Sequence, residues 1–260
     1  MPKQIQILPV INKKGGVGKT TTAVNVAAGL ADQGRSVLLV DLDGQGSASI
    51  SLGVSNDDLA PSSADVLSDS IPVYEAIRST KRDRLDLLTG SLDLAGAEKE
   101  LQSQSRSQYR LSELLDSLRT EYESIVIDCE PSASTVTLNA LVAADAFLIP
   151  VSPSYLAYEG LLSLFKMVRF VRLELGEAAP TLGVVLTMVG QDADVTRTAI
   201  REIRKHLGGK VFDTEIRTDI RLEEAPIEGV DIFRYAPDST GARDYRKLVH
   251  EIEERLQRYS

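Results

Sequence analysis

The chain predicts an α/β fold: a mostly parallel central sheet with helices on both faces. Three features carry that expectation. Short apolar segments alternate with segments of helical periodicity along the sequence, the pattern of strand–helix crossovers. The first such pair brackets a glycine-rich stretch, Lys14-Gly15-Gly16-Val17-Gly18-Lys19-Thr20. Two later apolar segments end in acids, at Asp41/Asp43 and at Asp128. In a parallel sheet, loop and acids would lie together outside the carboxyl ends of the strands, where open α/β sheets bind ligands. At 260 residues and 43% hydrophobic, the chain can bury a full core, and a single domain over 1–260 is expected.

The elements follow in order. Gln4–Ile11 is a short apolar strand, and 20–32 is a helix with Val24, Ala27, Ala28 and Ala31 on one face. Between them, Gly18-Lys19-Thr20 fits the end of the phosphate-binding pattern G-x-x-x-x-G-K-[ST]. In that pattern backbone N–H groups cradle phosphates, the lysine reaches the outer phosphates and the hydroxyl holds Mg²⁺. Lys13 stands where its first glycine belongs, but Gly15 and Gly16 leave the loop free to adopt positive φ and approach an anion closely. A helix N-terminus adds its unpaired N–H groups to such a site. Further strands are expected at 36–42, 85–89, 124–128, 146–151 and 182–188, with a short one at 211–216. Helices are expected at 108–120, 134–143, 158–174, 194–207 and 240–258. Asn56–Ser70, rich in serine and aspartate, has the composition of a surface loop.

Composition narrows the classes. No apolar run reaches the ~18 residues needed to span a bilayer. The N-terminal stretch lacks the hydrophobic core and cleavage site of a signal peptide, so a cytoplasmic location is expected. Cys129, the single cysteine, cannot form an internal disulfide, and its apolar neighbours suit a core thiol. His206 and His250 stand far apart without a ligand pattern. A net charge of −9 argues against a generally cationic nucleic-acid binder but says little about a local patch. Arg197, Arg201, Arg204 and Lys205 recur at helical spacing, and Arg217, Arg221, Arg234, Arg243, Arg246 and Lys247 follow. They either gather into one basic surface or form solvated faces balanced by Glu202, Asp213, Glu215 and Asp219. Both readings stay open.

The stretch N-x-K-G-G-V-G-K-T-T-T-A-V-N at 12–25 resembles the deviant Walker A loop of the ParA/MinD superfamily. S-V-L-L-V-D-L-D at 36–43, the strand ending in Asp128, and T-L-N-A-L-V-A-A-D-A-F-L-I-P-V at 137–151 are similar to further superfamily segments. I-R-L-E-E-A-P at 220–226 and Y-A-P-D-S-T-G-A at 235–242 resemble the ending of the ParA branch in particular. The single cysteine sets the chain apart from the nitrogenase iron-protein branch, which shares a cluster through two cysteines per subunit.

The resemblance implies a weak, partner-stimulated ATPase that uses ATP and Mg²⁺ and forms a homodimer when ATP is bound. Residues 14–21 (Lys14, Gly15, Gly16, Val17, Gly18, Lys19, Thr20 and Thr21) would hold ATP. Thr20 and Asp128, the latter through water, would hold Mg²⁺. Lys14 would cross the dimer to the partner's ATP, Lys19 would be the ordinary loop lysine and Asp43 would position the attacking water, making Lys14, Lys19 and Asp43 the catalytic set. Arg201, Arg204, Arg217 and Arg221 would be candidates for sequence-independent DNA binding. The cargo implied is a plasmid or chromosome, with a ParB-like or adaptor protein as the stimulating partner and the nucleoid as the place of action. Alternatives are a positioner of protein cargo and a non-hydrolysing ATP-gated regulator.

Two departures stand out. Where relatives have I-P-R-N-V-R-L, this chain has Ile216-Arg217-Thr218-Asp219-Ile220-Arg221-Leu222; where they have D-C-P-P-S, it has Asp128-Cys129-Glu130-Pro131-Ser132. Glu130 either faces the nucleotide, or turns to solvent or to a basic partner. MinD relatives end in an amphipathic membrane anchor, but Glu251, Glu253 and Glu254 beside the apolar stripe of Tyr245, Leu248, Val249, Ile252 and Leu256 favour docking on the domain over a membrane.

Overall fold

The computed structural model describes residues 7–154, 157–176, 179–190 and 194–259. Eight strands form one sheet: β1 (Ile7–Val10), β2 (Val37–Leu42), β3 (Ile77–Ser79), β4 (Leu85–Leu88), β5 (Ser124–Cys129), β6 (Phe147–Val151), β7 (Thr181–Val189) and β8 (Val211–Arg217). Their order is β3-β4-β2-β5-β1-β6-β7-β8, and every neighbouring pair is parallel except β3 with β4. Helices cover both faces, so the inner strands are mostly apolar rather than alternating with polar residues, Asp41 on β2 and Asp128 on β5 being exceptions near the strand ends. Side chains still alternate between two cores with the period of two that a pleated strand imposes. On β2, Leu38, Val40 and Leu42 enter one core, and Val37 and Leu39 the other. The first core is closed by helices 94–102, 110–116, 135–143 and 157–175, and by Ile203 from helix 194–207. Helices 19–32 and 240–259 close the second.

The expected strands are present, with residues 4–6 of the first lying outside the described residues. Antiparallel β3 was not expected, nor were helices 47–51, 73–76, 94–102, 221–224 and 232–235. Most of these have five residues or fewer, too short to show a helical period. The expected helix at 108–120 is shorter, a 3₁₀ turn at 107–109 leading into helix 110–116.

Asn56–Ser70 is a surface loop only towards its ends, where 56–58, 60–61 and 69–70 are exposed. It folds into a 3₁₀ turn at 56–58 and a helix at 63–67, with Val66 and Leu67 buried. A capping box starts that helix: the Ser62 hydroxyl accepts from the Ala64 N–H (3.3 Å) and the Asp65 carboxylate from the Ser62 N–H (2.7 Å). Two of the serines that suggested solvent, Ser62 and Ser63, are themselves buried, and each has a hydrogen-bond partner within the fold. The Ser63 hydroxyl donates to the Asp41 carbonyl at 2.8 Å, and the Ser62 and Ser91 hydroxyls meet at 2.9 Å.

The C-terminal helix docks as expected, with Tyr245, Leu248, Val249 and Ile252 fully buried. Its acidic residues are largely taken up by the fold. Glu251 accepts the N–H groups of Asp213 and Thr214 on β8, both at 2.9 Å, and Glu253 pairs with Arg35 at 2.8 Å. The Arg255 guanidinium lies 3.9 Å above the Phe212 ring and donates to the Val211 carbonyl. On the opposite edge, Arg82 grips the buried Asp231 through two bonds of 2.7 Å, while Asp231 caps helix 232–235.

Removing one partner of a buried, bidentate ion pair leaves the other charge uncompensated. Asp231→Ala is therefore expected to destabilise the fold by about 3 kcal/mol. Thermal unfolding of wild type and variant checks this; an unchanged melting temperature would remove the pair from its structural role.

Candidate functional site

The order β2-β5-β1 sets three strand ends side by side. From β1 the chain passes through the glycine-rich loop into helix 19–32; Asp128 is the penultimate residue of β5 and Asp41 of β2, with Asp43 just beyond β2. Asp41 and Asp128 are register partners across β2 and β5, and Val10 partners Asp128 across β1 and β5. Three segments distant in sequence thus converge on one spot.

The loop is held by its flanks while its rim stays open. Asn12 donates to the Pro150 carbonyl (2.7 Å) and accepts the Lys14 N–H (3.0 Å), and the Thr187 hydroxyl bonds the Val17 carbonyl (2.8 Å). Gly16 and Gly18 have φ of +68° and +79°, a left-handed conformation that needs glycine. Lys14, Gly15 and Gly16 are exposed, with open space around the two glycines, so nothing blocks the approach of an anion to the backbone. Lys19 is buried at the start of the helix, its ammonium donating to the Lys14 carbonyl at 3.3 Å. Burial pulls its pKa below the ordinary value, and the charges of Asp128 and Asp43 oppose that shift.

The acids lie beneath. The Thr20 hydroxyl donates to Asp128 Oδ2 at 2.7 Å, while Asp128 Oδ1 is buried without a hydrogen-bond partner. Burial raises the Asp128 pKa well above the ordinary carboxylate value, and neighbouring Asp41 adds to the effect. Burial also pushes Asp41 up to about 6, against the bonds it accepts. Those come from the Ser49 N–H (2.9 Å), the Ser49 hydroxyl (2.7 Å) and the Asp43 N–H (3.1 Å). Asp43 itself is half-exposed and accepts the Gln45 N–H at 2.9 Å. No group of three or more acidic, histidine or cysteine side chains among the described residues is arranged to hold a metal by itself; the partnerless Asp128 oxygen beside the Thr20 hydroxyl is instead a position where one protein ligand could meet a hard divalent cation.

Several residues of this arrangement were not singled out from sequence. Ser49 ties Asp41 to Gly90, whose N–H donates to the serine hydroxyl at 3.1 Å. A Cβ at Gly90 would stand 2.5 Å from the Asp43 carbonyl, so only glycine fits beneath that residue. Asn12 lay inside the quoted motif, but neither Ser49, Gly90 nor Thr187 carries a local signal. Beside the loop, Gly18, Thr21, Thr187, Met188, Arg217 and Thr218 line a concavity. Glu130 is half-buried and has no basic partner among the described residues: it accepts the Ser132 hydroxyl at 2.6 Å within its own turn.

The four arginines expected to bind DNA are not gathered. Arg201 donates to Thr198 and Arg204 pairs with Glu215 at 2.9 Å, both on helix 194–207. That helix covers the face opposite the C-terminal helix. Arg217 is bound through two bonds to Asp244, at 2.6 and 2.9 Å. Arg221 pairs with Asp219 at 3.3 Å, but shares a concavity with Arg243. Arg243, Arg246 and Arg234 bond backbone carbonyls instead, those of Asp238, Pro237 and Lys81. A carbonyl orients a guanidinium without cancelling its charge.

No helix among the described residues is long and apolar enough to cross a membrane. The AAA domain family matches residues 5–179. The sporulation initiation inhibitor protein Soj of Bacillus subtilis is 40% identical over 247 residues, covering 95% of this chain and 98% of its own. The chromosome partitioning protein ParA of Caulobacter vibrioides is 37% identical over 250 residues, covering 95% and 94%. Among solved structures, cobyrinic acid a,c-diamide synthase of Mycobacterium smegmatis, with bound ATP analogue and magnesium, is similar with a TM-score of 0.86 and 29% identity, covering 98% of this chain and 97% of its own. Identity at this level over nearly the whole length of both chains, with the expected sheet beneath it, makes the chain a member of the ParA/Soj family of chromosome-partitioning ATPases.

Proposed function

We propose that this chain is a single-domain, ATP-gated dimerising switch that hydrolyses ATP slowly and segregates DNA in the cytoplasm, on the nucleoid. The observation that carries the reading is the buried Lys19 at a helix start, above Thr20 and Asp128 and within reach of the Asp43 charge. Gly15–Thr21 would cradle the triphosphate with backbone N–H groups, and Lys19 would meet its outer phosphates. The base would enter the concavity beside Thr21 and Thr218. Thr20 and Asp128 would hold Mg²⁺, for which the partnerless Asp128 Oδ1 is a fitting ligand position. The ion, when bound, neutralises charge on the phosphates. Asp43, half-exposed at the rim, would orient the attacking water, and its backbone is fixed for that task by Asp41 and Gly90. Lys14 is exposed on the outer side of the loop, suited to reach a second copy. A lysine delivered by a partner makes hydrolysis depend on dimerisation, since phosphoryl transfer rests on positioning and charge stabilisation.

DNA would bind through phosphate contacts on the surface of Arg221, Arg234, Arg243 and Arg246, where most guanidinium groups are held by carbonyls. Arg201, Arg204 and Arg217 are secondary: the first two sit on the other face and the third is neutralised by Asp244. A separate ParB-like protein would stimulate hydrolysis. The relatives whose names state chromosome partitioning support DNA as the cargo over a protein assembly.

Three outcomes are expected. Mg·ATP converts monomer to dimer and Lys14→Ala impairs that conversion or turnover; light scattering with ATP, ADP and no nucleotide checks this, and a monomer in all three states sinks it. Asp43→Ala keeps ATP affinity but slows hydrolysis about a hundredfold, whereas Lys19→Ala loses nucleotide binding itself. Equal turnover in Asp43→Ala and wild type would take the water-positioning role from Asp43.

The third concerns salt. With ATP bound, unrelated duplexes bind alike, and Arg243→Ala and Arg246→Ala each lower the slope of log affinity against log salt by about 0.9. Arg204→Ala leaves the slope unchanged; the reverse pattern would move the surface to the other face.

A further inference from the structure

The switch acid and the basic surface are joined through a contact of bare backbone. The segment after Asp43 turns at Gly46, forms helix 47–51 and ends at Gly53 with φ +88°. There it meets Gly229, φ +63°, in the turn that follows helix 221–224. A Cβ on Gly229 would stand 2.6 Å from the Gly53 Cα, and one on Gly53 would stand 3.0 Å from the Gly229 carbonyl oxygen. The two segments meet backbone to backbone, so neither can move towards the other without displacing it. The Lys81 ammonium closes the junction, 3.1 Å from where the Gly53 Cβ would be.

On the far side, Gly229 leads within two residues to Asp231, the buried cap of the helix that carries Arg234. Arg82 fixes Asp231, and Arg234 donates to the carbonyl of Lys81. Arg82 and Arg246 lie over the same Phe233 ring, at 5.8 and 5.2 Å. A displacement of Gly229 is therefore felt by the seats of Arg234 and Arg246. The near side is equally stiff: Gly46 abuts the Gly90 carbonyl, and Ser49 is tied to Asp41.

We propose that the Gly53–Gly229 contact transmits the nucleotide state of the Asp43 segment to residues 225–235, and so sets when the arginine surface can engage DNA. The proposal rests on the nucleotide and DNA readings above. Coupling of this kind requires that ATP favour one arrangement of both segments.

Hydrogen exchange of the full chain, with and without Mg²⁺ and a non-hydrolysable ATP analogue, tests it without DNA. In wild type the nucleotide slows exchange at 12–20, at 44–53 and, about tenfold, at 225–235. Gly229→Ala keeps the first two responses and loses the third, along with the nucleotide dependence of binding to an arbitrary duplex. Gly34→Ala is the control, because Gly34 has φ +91° but open space around it, so it carries the backbone strain without the collision. Should Gly229→Ala fail to fold, Gly53→Ala presses on the contact from the other side and carries the same expectation. Protection at 12–20 and 44–53 with none at 225–235 in wild type overturns the coupling and leaves the nucleotide reading intact. No protection at 12–20 overturns both. A third response retained in Gly229→Ala, or lost in Gly34→Ala, also overturns the coupling.

Discussion

Two carboxylates, Asp41 and Asp128, occupy one register position on neighbouring strands and are fully buried there. Burying like charges side by side is unfavourable unless each is offset, and the surrounding structure is organised by how that is done. Asp41 is satisfied from within, by Ser49 and by the N–H of Asp43. Asp128 is satisfied only in part, by Thr20, and keeps one oxygen without a partner. The first solution fixes the path of the chain beyond β2; the second leaves an unsatisfied acceptor at the foot of the glycine-rich loop. Lys19 alone cannot balance three acids, and it is itself held below its ordinary pKa by burial.

The same constraint reaches outward. Because Asp41 is held by Ser49, helix 47–51 is pinned against the sheet, and because Ser49 also takes the Gly90 N–H, the end of β4 is drawn under Asp43. Ser63 adds a bond to the Asp41 carbonyl, which draws in the buried capping-box helix that looked like a solvated loop. Unpaired buried polar groups are costly, so a serine-rich segment can be interior wherever its hydroxyls find partners.

Charge on the outside obeys a related distinction. The chain carries −9 overall, yet its arginines differ by partner: Arg204, Arg217 and Arg221 meet carboxylates, whereas Arg234, Arg243 and Arg246 meet carbonyls. The first group contributes rigidity to β8 and its flanks. The second keeps a field that anionic ligands can feel.

Local chemistry in the sequence was enough to determine the α/β class, most strands and the longer helices, the position of the glycine-rich loop between β1 and the helix after it, and the acids near strand ends. Each rests on adjacent residues: periodicity, glycine spacing, an apolar run closing in an acid. The C-terminal stripe was legible for the same reason, since five apolar residues at helical spacing must be covered by something. Tertiary structure alone decided that Asp41 and Asp128 share a register, that Ser49 and Gly90 support Asp43, that Gly53 meets Gly229, and which arginines are neutralised. These depend on strand order and on partners up to about two hundred positions apart, and pairings at that distance leave no periodic trace along the chain.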